Sequence, residues 1–383
     1  LPGSDVIEFN STIDLFPLSI AADAAFCNRI EELSKLTMYI EHHRPVLLAS
    51  PRRYGKTSLA LRAIEATRLP YAHIDLFSAV DEQDIERAVL KGVGSLISKI
   101  ESLPKKALKL ASEFFEGTHL RVALTKIGIE VEFSRDNDKK PAHRILEVLQ
   151  KLEKLSVKVN KKMVLFFDEF QCIKEVTTDH ALEGVFRQIA QQTKVISFIF
   201  SGSNRHLLNE LFEDRNRPFY KLCERITLDR ISEEKYIPHL QSAAMKKWKV
   251  RFLSEELDAI FNKSHRHPYY LNLLCSRIFL KKDKPHAEAI QAVWLQYVLE
   301  ERSNVASEMD LLSKNQKKLL IMLARERGTN APLGQEFIRI SNISKTTVEQ
   351  SLKFLQKRDY VYQDDTGCYK ILDPLIATVL ESN

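Results

Sequence analysis

No stretch of the 383 residues approaches the roughly 20 consecutive apolar residues of a membrane span. No membrane partner is therefore expected. The N-terminus lacks the charged, apolar and small-residue order of a secretory leader. Its opening "LPGS" has no initiator Met and is read as a remnant outside the fold. Cysteine is sparse: the five (Cys27, Cys172, Cys223, Cys275 and Cys368) are odd in number, scattered, and form no C-x-x-C pair. That excludes a disulfide framework and a cysteine zinc site, and points to a reducing, cytoplasmic setting. Internal repeats and low-complexity tracts are absent too, which leaves out solenoids and disordered arrays.

What remains is an ordinary globular composition, 44% hydrophobic and 28% charged, in a chain long enough for two or three domains. The net charge of +6 is mild. It is compatible with nucleic acid without demanding it, because lysine-rich helix faces give the same number with no partner.

Short, wholly apolar runs alternate with helical periods. "PVLLAS" (45–50), "YAHIDLF" (71–77), "KKMVLFFDEF" (161–170), "KVISFIFSGS" (194–203) and "RITLDRI" (225–231) read as strands buried on both faces. A helix is expected over 26–45, before the first strand, and another in "TSLALRAIEAT" directly after it. Strands alternating with helices define an α/β fold with a doubly wound parallel sheet. Between the second and third strands lies an insert, about residues 80–160. It reads as mostly helical, with a hairpin at 126–133 and a core-facing stripe of Ile145, Leu149 and Leu152. The chain then divides into an α/β domain (1–230), a helical domain (231–307) and a C-terminal module (308–383).

The chemistry centres on "SPRRYGKTS" (50–58), between the first strand and its helix. In the phosphate-loop pattern G-x-x-x-x-G-K-[ST], backbone N–H groups and a helix N-terminus cradle phosphate. The lysine reaches the β- and γ-phosphates and the hydroxyl binds Mg²⁺. Gly55, Lys56 and Thr57 meet those needs, but Ser50 stands where the pattern has glycine. Pro51 biases Ser50 toward extended backbone, which serine adopts freely, so glycine is not required there. Because Pro51 has no N–H, the cradle must come from Arg53, Tyr54, Gly55, Lys56 and Thr57. Arg52 and Ser58 flank it, and the whole loop is taken as nucleotide-binding.

The third strand ends in Asp168 and Glu169. Two carboxylates at the end of a buried strand are unfavourable unless a cation or hydrogen bonds compensate. Asp168 is placed to hold Mg²⁺ with Thr57, and Glu169 to polarise a water toward the γ-phosphate. The pair of motifs, in this order, implies ATP with Mg²⁺, and hydrolysis rather than transfer to a second substrate. At the end of the fourth strand Ser203 and Asn204 are candidates to sense the γ-phosphate. Arg205 is a candidate phosphate contact, and a plain polar turn is the alternative for each.

"FCNRIEEL", "SPRRYGKTSL", "LFFDEF", "FIFSGS", "FEDRNRPFY" and "HPYYLNLL", in this order, resemble the prokaryotic AAA+/STAND-like P-loop ATPases, the archaeal-type ATPases. The resemblance spans about residues 16–380. It implies that Phe26 and Arg29 lie near the adenine or ribose, and that the 231–307 domain is a lid whose Pro268 packs on the nucleotide. Arg266 stands where such proteins usually have glycine, and is either a second phosphate sensor or a solvated cap. His267 poses the same choice. Arg215, Arg217 and Arg225 are candidates for an arginine supplied to a neighbouring subunit. A basic loop capping the sheet is the simpler reading, and the oligomeric state is left open. Phe219 and Tyr220 read as packing.

In the C-terminal module, "SKNQKKLLIMLARE" is an amphipathic helix with Leu319, Leu320 and Leu323 inward, and "GQEFIRIS" is a short second helix. The third helix, capped by Ser344, turns Val348, Leu352 and Leu355 inward. A hairpin about the turn 364–367 completes a winged-helix pattern. Lys345, Thr346, Thr347, Gln350 and Lys353 face outward, a surface for duplex DNA or for a protein client. Asp364 and Asp365 at the wing tip weaken the DNA reading, because a phosphate-binding surface should be visibly basic. Two functions follow from the whole: an ATP-driven molecular switch, or a DNA-binding regulator or loader whose nucleotide is mainly structural.

Overall fold

A computed structural model describes residues 15–21, 23–100, 109, 112–114, 120–125, 128–133, 140–177, 179–364 and 366–381. The chain forms two compact units. A sheet unit comprises 30–52 and 56–228, and a helical unit comprises the described residues up to Arg29, the three residues 53–55, and those from Asp229 onward.

In the sheet unit the described elements run α1 (Ile30–Glu41), β1 (Val46–Ala49), α2 (Lys56–Thr67), β2 (Tyr71–Asp75), α3 (Glu82–Ile100), β3 (Leu120–Thr125) and β4 (Gly128–Phe133). They continue with α4 (Pro141–Lys158), β5 (Met163–Asp168), α5 (Cys172–Val176), α6 (Ala181–Gln192), β6 (Ile196–Gly202), α7 (Arg205–Glu213) and β7 (Glu224–Ile226). Five strands make one parallel sheet in the order β2-β5-β6-β1-β7. Every residue of β1, β5 and β6 is buried, which is why these strands read as unbroken apolar runs. Since all strands point the same way, the ends of β1, β5 and β6 share one edge, the edge where open α/β sheets place their sites.

Two strands differ from the sequence reading. β2 stops at Asp75 and is an edge strand, so it alternates, with Ala72 and Ile74 buried and His73 and Asp75 open. Phe77, expected within it, is 66% exposed. β7 has only three residues, because the chain leaves the sheet after Ile226. The 80–160 insert holds α3, the antiparallel hairpin β3–β4 and α4. The hairpin starts upstream of the expected segment, and residues 126–127 lie outside the described residues. Ile145, Leu149 and Leu152 are fully buried, and the buried Glu86 of α3 pairs with the partly exposed Arg144 of α4.

The helical unit contains α8 (Glu233–Trp248), α9 (Ser254–Ser264), α10 (Pro268–Ile278), α11 (Ala287–Asp310), α12 (Lys314–Arg325), α13 (Gln335–Ser341), α14 (Lys345–Lys357), β8 (Val361–Gln363), β9 (Tyr369–Ile371) and α15 (Pro374–Glu381). One core joins them, with Tyr236, Phe279 and Trp294 among its largest fully buried side chains. Leu319, Leu320 and Leu323 of α12 are buried in it, as are Val348, Leu352 and Leu355 of α14. Ser344 caps α14 by accepting from the Thr347 N–H. The strands β8 and β9 pair antiparallel around a turn in which Asp364 holds Lys370 at 2.7 Å. Asp365, the other wing-tip acid, lies outside the described residues. Among the described residues no helix is long and apolar enough to cross a membrane.

Candidate functional site

At the end of β1 the chain turns through a loop into α2. Ser50 is fully buried there. Its hydroxyl donates to the Ala49 carbonyl at 2.8 Å and accepts from the Leu228 N–H at 2.6 Å. The residue that departs from the glycine pattern thus ties the start of the loop to the segment beyond β7. Lys56, also buried, spans the loop and donates to the Ser50 and Pro51 carbonyls at 2.8 and 2.9 Å. Arg52 Nε reaches the Ser203 hydroxyl at 3.3 Å. Ser58 is buried in the first turn of α2.

The acidic end of β5 lies against this loop. The Thr57 hydroxyl donates to Asp168 Oδ2 at 2.7 Å. His73, from the neighbouring β2, brings Nε2 to 3.5 Å of the same oxygen and stacks on Phe166 at 4.6 Å. Burial pushes the Asp168 carboxyl up. Hydrogen bonds from His73 and Thr57 outweigh it, so the group sits below the usual carboxylate range. It is poised as an anion beside a threonine hydroxyl, an all-oxygen pair suited to a hard cation that keeps water and phosphate as its other ligands. No group of three or more His, Cys, Asp or Glu side chains that could hold a metal alone occurs among the described residues.

Glu169 follows with φ +50, a left-handed backbone that is strained for a side chain of its size. Its Oε2 accepts from the Ser203 hydroxyl at 2.7 Å and from Gln171 Nε2 at 2.5 Å. The two sensor candidates therefore separate. Ser203 touches Glu169, whereas the Asn204 side chain accepts from the Leu207 N–H at 3.1 Å and is the N-cap of α7. Sequence reasoning missed His73 and Gln171. Gln171 stood in plain view, two residues after Glu169. His73 could be found only from the register that sets Asp75 beside Asp168.

The other candidates belong to the helical unit. Gly55 has φ +87 with open space around it, so glycine is needed for the turn and not for room. Arg29 is buried and donates to the carbonyls of Tyr54 (3.3 Å) and Asp229 (2.7 Å), while Phe26 is half-buried. The Arg53 guanidinium lies 4.0 Å over the Tyr269 ring, and Tyr54 meets His267 edge-on at 4.8 Å. His267 is the N-cap of α10, and Pro268 fills the first helical position, where its missing N–H is no loss. Only 5% of His267 is exposed, and its Nδ1 has no partner among the described residues. Burial first, then the charges of Arg230 and Arg53, push its imidazole down to about 3. Arg266 has φ +57, the left-handed region that favours glycine, and its Nε lies 3.9 Å from Glu233. Arg230 donates to the Tyr54 hydroxyl (3.3 Å) and to the His265 (2.8 Å) and Leu372 (2.7 Å) carbonyls.

Of the three arginines in the "RPFY" region, Arg217 pairs at 2.7 Å with Glu183, which is 1% exposed. Arg225 bonds Glu213 and Asn209, and Arg215 is exposed on a turn. Phe219 is buried among Phe170, Phe200 and Phe212.

Comparison with known proteins agrees with this architecture. Residues 304–382 match the family described as "probable winged helix domain". Among solved structures, the Walker-type ATPase of Pyrococcus abyssi superposes with a TM-score of 0.67 at 20% identity, over 96% of this chain and 99% of that one. The ORC2 protein of Aeropyrum pernix, solved in ADPNP–ADP complexes, gives 0.59 at 14% identity over 97% and 96%. Its ADP form gives 0.56 at 12% over 96% and 97%. No curated protein matches the sequence. The class is thereby defined at the level of fold: a P-loop ATPase fold of AAA+ type that ends in a winged helix. Its structural neighbours include a Walker-type ATPase and an ORC2 protein.

Proposed function

We propose that the protein binds and hydrolyses Mg-ATP as a molecular switch. The observation that carries this reading is the 2.7 Å hydrogen bond from Thr57 to Asp168, with Lys56 within the same loop and Glu169 alongside. Lys56 would exchange the Ser50 and Pro51 carbonyls for phosphate oxygens, and loop N–H groups would take the remaining charge. Thr57 and Asp168 would hold magnesium, which when bound neutralises charge on the phosphates. Glu169 would orient a water and receive its proton as the water oxygen bonds to the γ-phosphorus and the bond to ADP breaks. Ser203 would report on the γ-phosphate, while Asn204 serves the helix it caps.

The remaining nucleotide contacts are Arg53, Tyr54 and Gly55, proposed from the phosphate-loop pattern, Phe26, Arg29 and Pro268, proposed from the family resemblance, and Arg266, which stands where that family usually has glycine. Any preference of those contacts for ATP over ADP would bias the arrangement of the lid (231–307) and winged helix (308–383). The five cysteines are all free, which suits a cytoplasmic location. The test is to denature freshly purified protein and identify released nucleotide, with Lys56→Ala as control, and to measure ATP turnover of both. Nucleotide or turnover lost in the variant supports the reading. Nucleotide equally present in Lys56→Ala refutes it, as does a wild type that neither holds nor hydrolyses ATP.

A second reading, duplex DNA as partner, is favoured by the exposed side chains Lys345, Thr346, Gln350 and Lys353 on α14. Salt-sensitive DNA binding that is weakened by Lys345→Glu would support it.

A further inference from the structure

We propose that Gln171 is a positioning residue that fixes the Glu169 carboxylate so that Oε1 alone faces the attacking water. The proposal rests on the hydrolytic reading above and adds a residue to it. All of its parts lie within the sheet unit.

The Glu169 carboxylate is held by one oxygen only. Oε2 receives Gln171 Nε2 at 2.5 Å, the Ser203 hydroxyl at 2.7 Å and the Ser203 N–H at 3.4 Å. Among the described residues nothing donates to Oε1. A carboxylate pinned in this way cannot rotate about its terminal bond without breaking bonds to Oε2, so the base is always the same atom.

Three unfavourable features converge to make this arrangement. Glu169 sits at φ +50, where a non-glycine residue is strained. Gln171 is 4% exposed, and its own Oε1 is buried with no partner among the described residues, an arrangement that costs stability. Turning the amide round to satisfy that oxygen would set it against the Glu169 carboxylate, so the donor orientation is fixed. Finally, glycine at residue 202 leaves room for this amide, because a Cβ there would meet Gln171 Oε1 and come within 3.1 Å of Leu208. Gln171 is also the N-cap of α5, yet its side chain makes no capping bond. The side chain serves the glutamate and not the helix. Local costs accepted together around one carboxylate are what a functional constraint produces and what simple packing avoids.

The test uses the full chain and Gln171→Met, which keeps volume while removing both the donor and the orphan oxygen. Three quantities are measured: kcat for ATP, Kd for a fluorescent ATP analogue, and Tm of the nucleotide-free protein. The expected result is a kcat lowered roughly tenfold to a hundredfold, the scale of a misplaced catalytic group, with Kd within about twofold of wild type. Tm should be unchanged or higher, because a buried unsatisfied atom is gone. Gly202→Ala, which displaces the Gln171 amide, should lower kcat on the same scale and add nothing further in the Gln171→Met background. Wild-type kcat in Gln171→Met overturns the proposal and leaves the ATPase reading intact. So does a loss of kcat that merely tracks weaker binding and a lower Tm. A wild type without turnover overturns both.

Discussion

Mild acid should loosen the helical unit, with His267 a main contributor beside His265 and His239, which desolvation also pushes down. The His267 imidazole is buried against Tyr54 and Tyr270, with Arg230 and Arg53 adding like charge, and is pushed from an ordinary 6.5 down to about 3. The folded protein therefore keeps it neutral, while the unfolded chain protonates it near pH 6.5. Its contribution to stability is present above pH 6.5 and is lost progressively as pH falls toward 3. Going from pH 7 to pH 5 covers about 1.5 pH units of that window, which at about 1.4 kcal/mol per unit is a loss of about 2 kcal/mol. His267→Asn removes the titration while keeping a residue suited to the N-cap of α10. Both tryptophans, Trp248 and Trp294, lie in the helical unit, so tryptophan fluorescence during urea unfolding follows that unit. Wild type should lose about 2 kcal/mol more than His267→Asn between pH 7 and pH 5. An equal loss in the two proteins would refute the assignment.

Two further substitutions test the packing of each unit. Tyr270 donates to Asp373 Oδ2 at 2.7 Å, and burial raises that carboxyl despite its hydrogen bonds. Tyr270→Phe should lower helical-unit stability by about 1–3 kcal/mol in the same fluorescence assay at pH 7. In the sheet unit, Arg144→Met removes the partner of Glu86, whose side chain is 1% exposed, and should cost about 3–5 kcal/mol by urea unfolding followed by circular dichroism. The double variant Glu86→Ala/Arg144→Met should recover part of that loss, because the stranded charge is gone.

The strands and motifs were legible because burial on both faces leaves an unbroken apolar signature. β1, β5 and β6 carry it, and the chemistry sits at their ends. The edge strands carried less. β2 alternates because one face is open, and its apolar continuation through Phe77 was misread as sheet. Ser50 was read as tolerable for its backbone, yet its hydroxyl also bonds Leu228, 178 residues away, a contact no local pattern announces. His73 was missed for the same reason, since only the pairing of β2 with β5 brings it to Asp168. Asn204, by contrast, stood directly before a helix, where capping was the local signal to weigh. In α14 that signal was read correctly at Ser344.

The winged helix is not a portable part. The matched region begins at residue 304, inside the 24-residue α11, whose Val305 and Met309 are buried in the common core. Beyond it, Thr378 of the last helix accepts from the Trp294 indole, Asp373 from Tyr270, and the Leu372 carbonyl from Arg230. A fragment cut at 304 would sever a helix, strand these partners and present a raw apolar face to any bait or column. Grafts, affinity probes and two-hybrid baits made from this module should therefore start no later than Asp229 and carry the helical bundle with them.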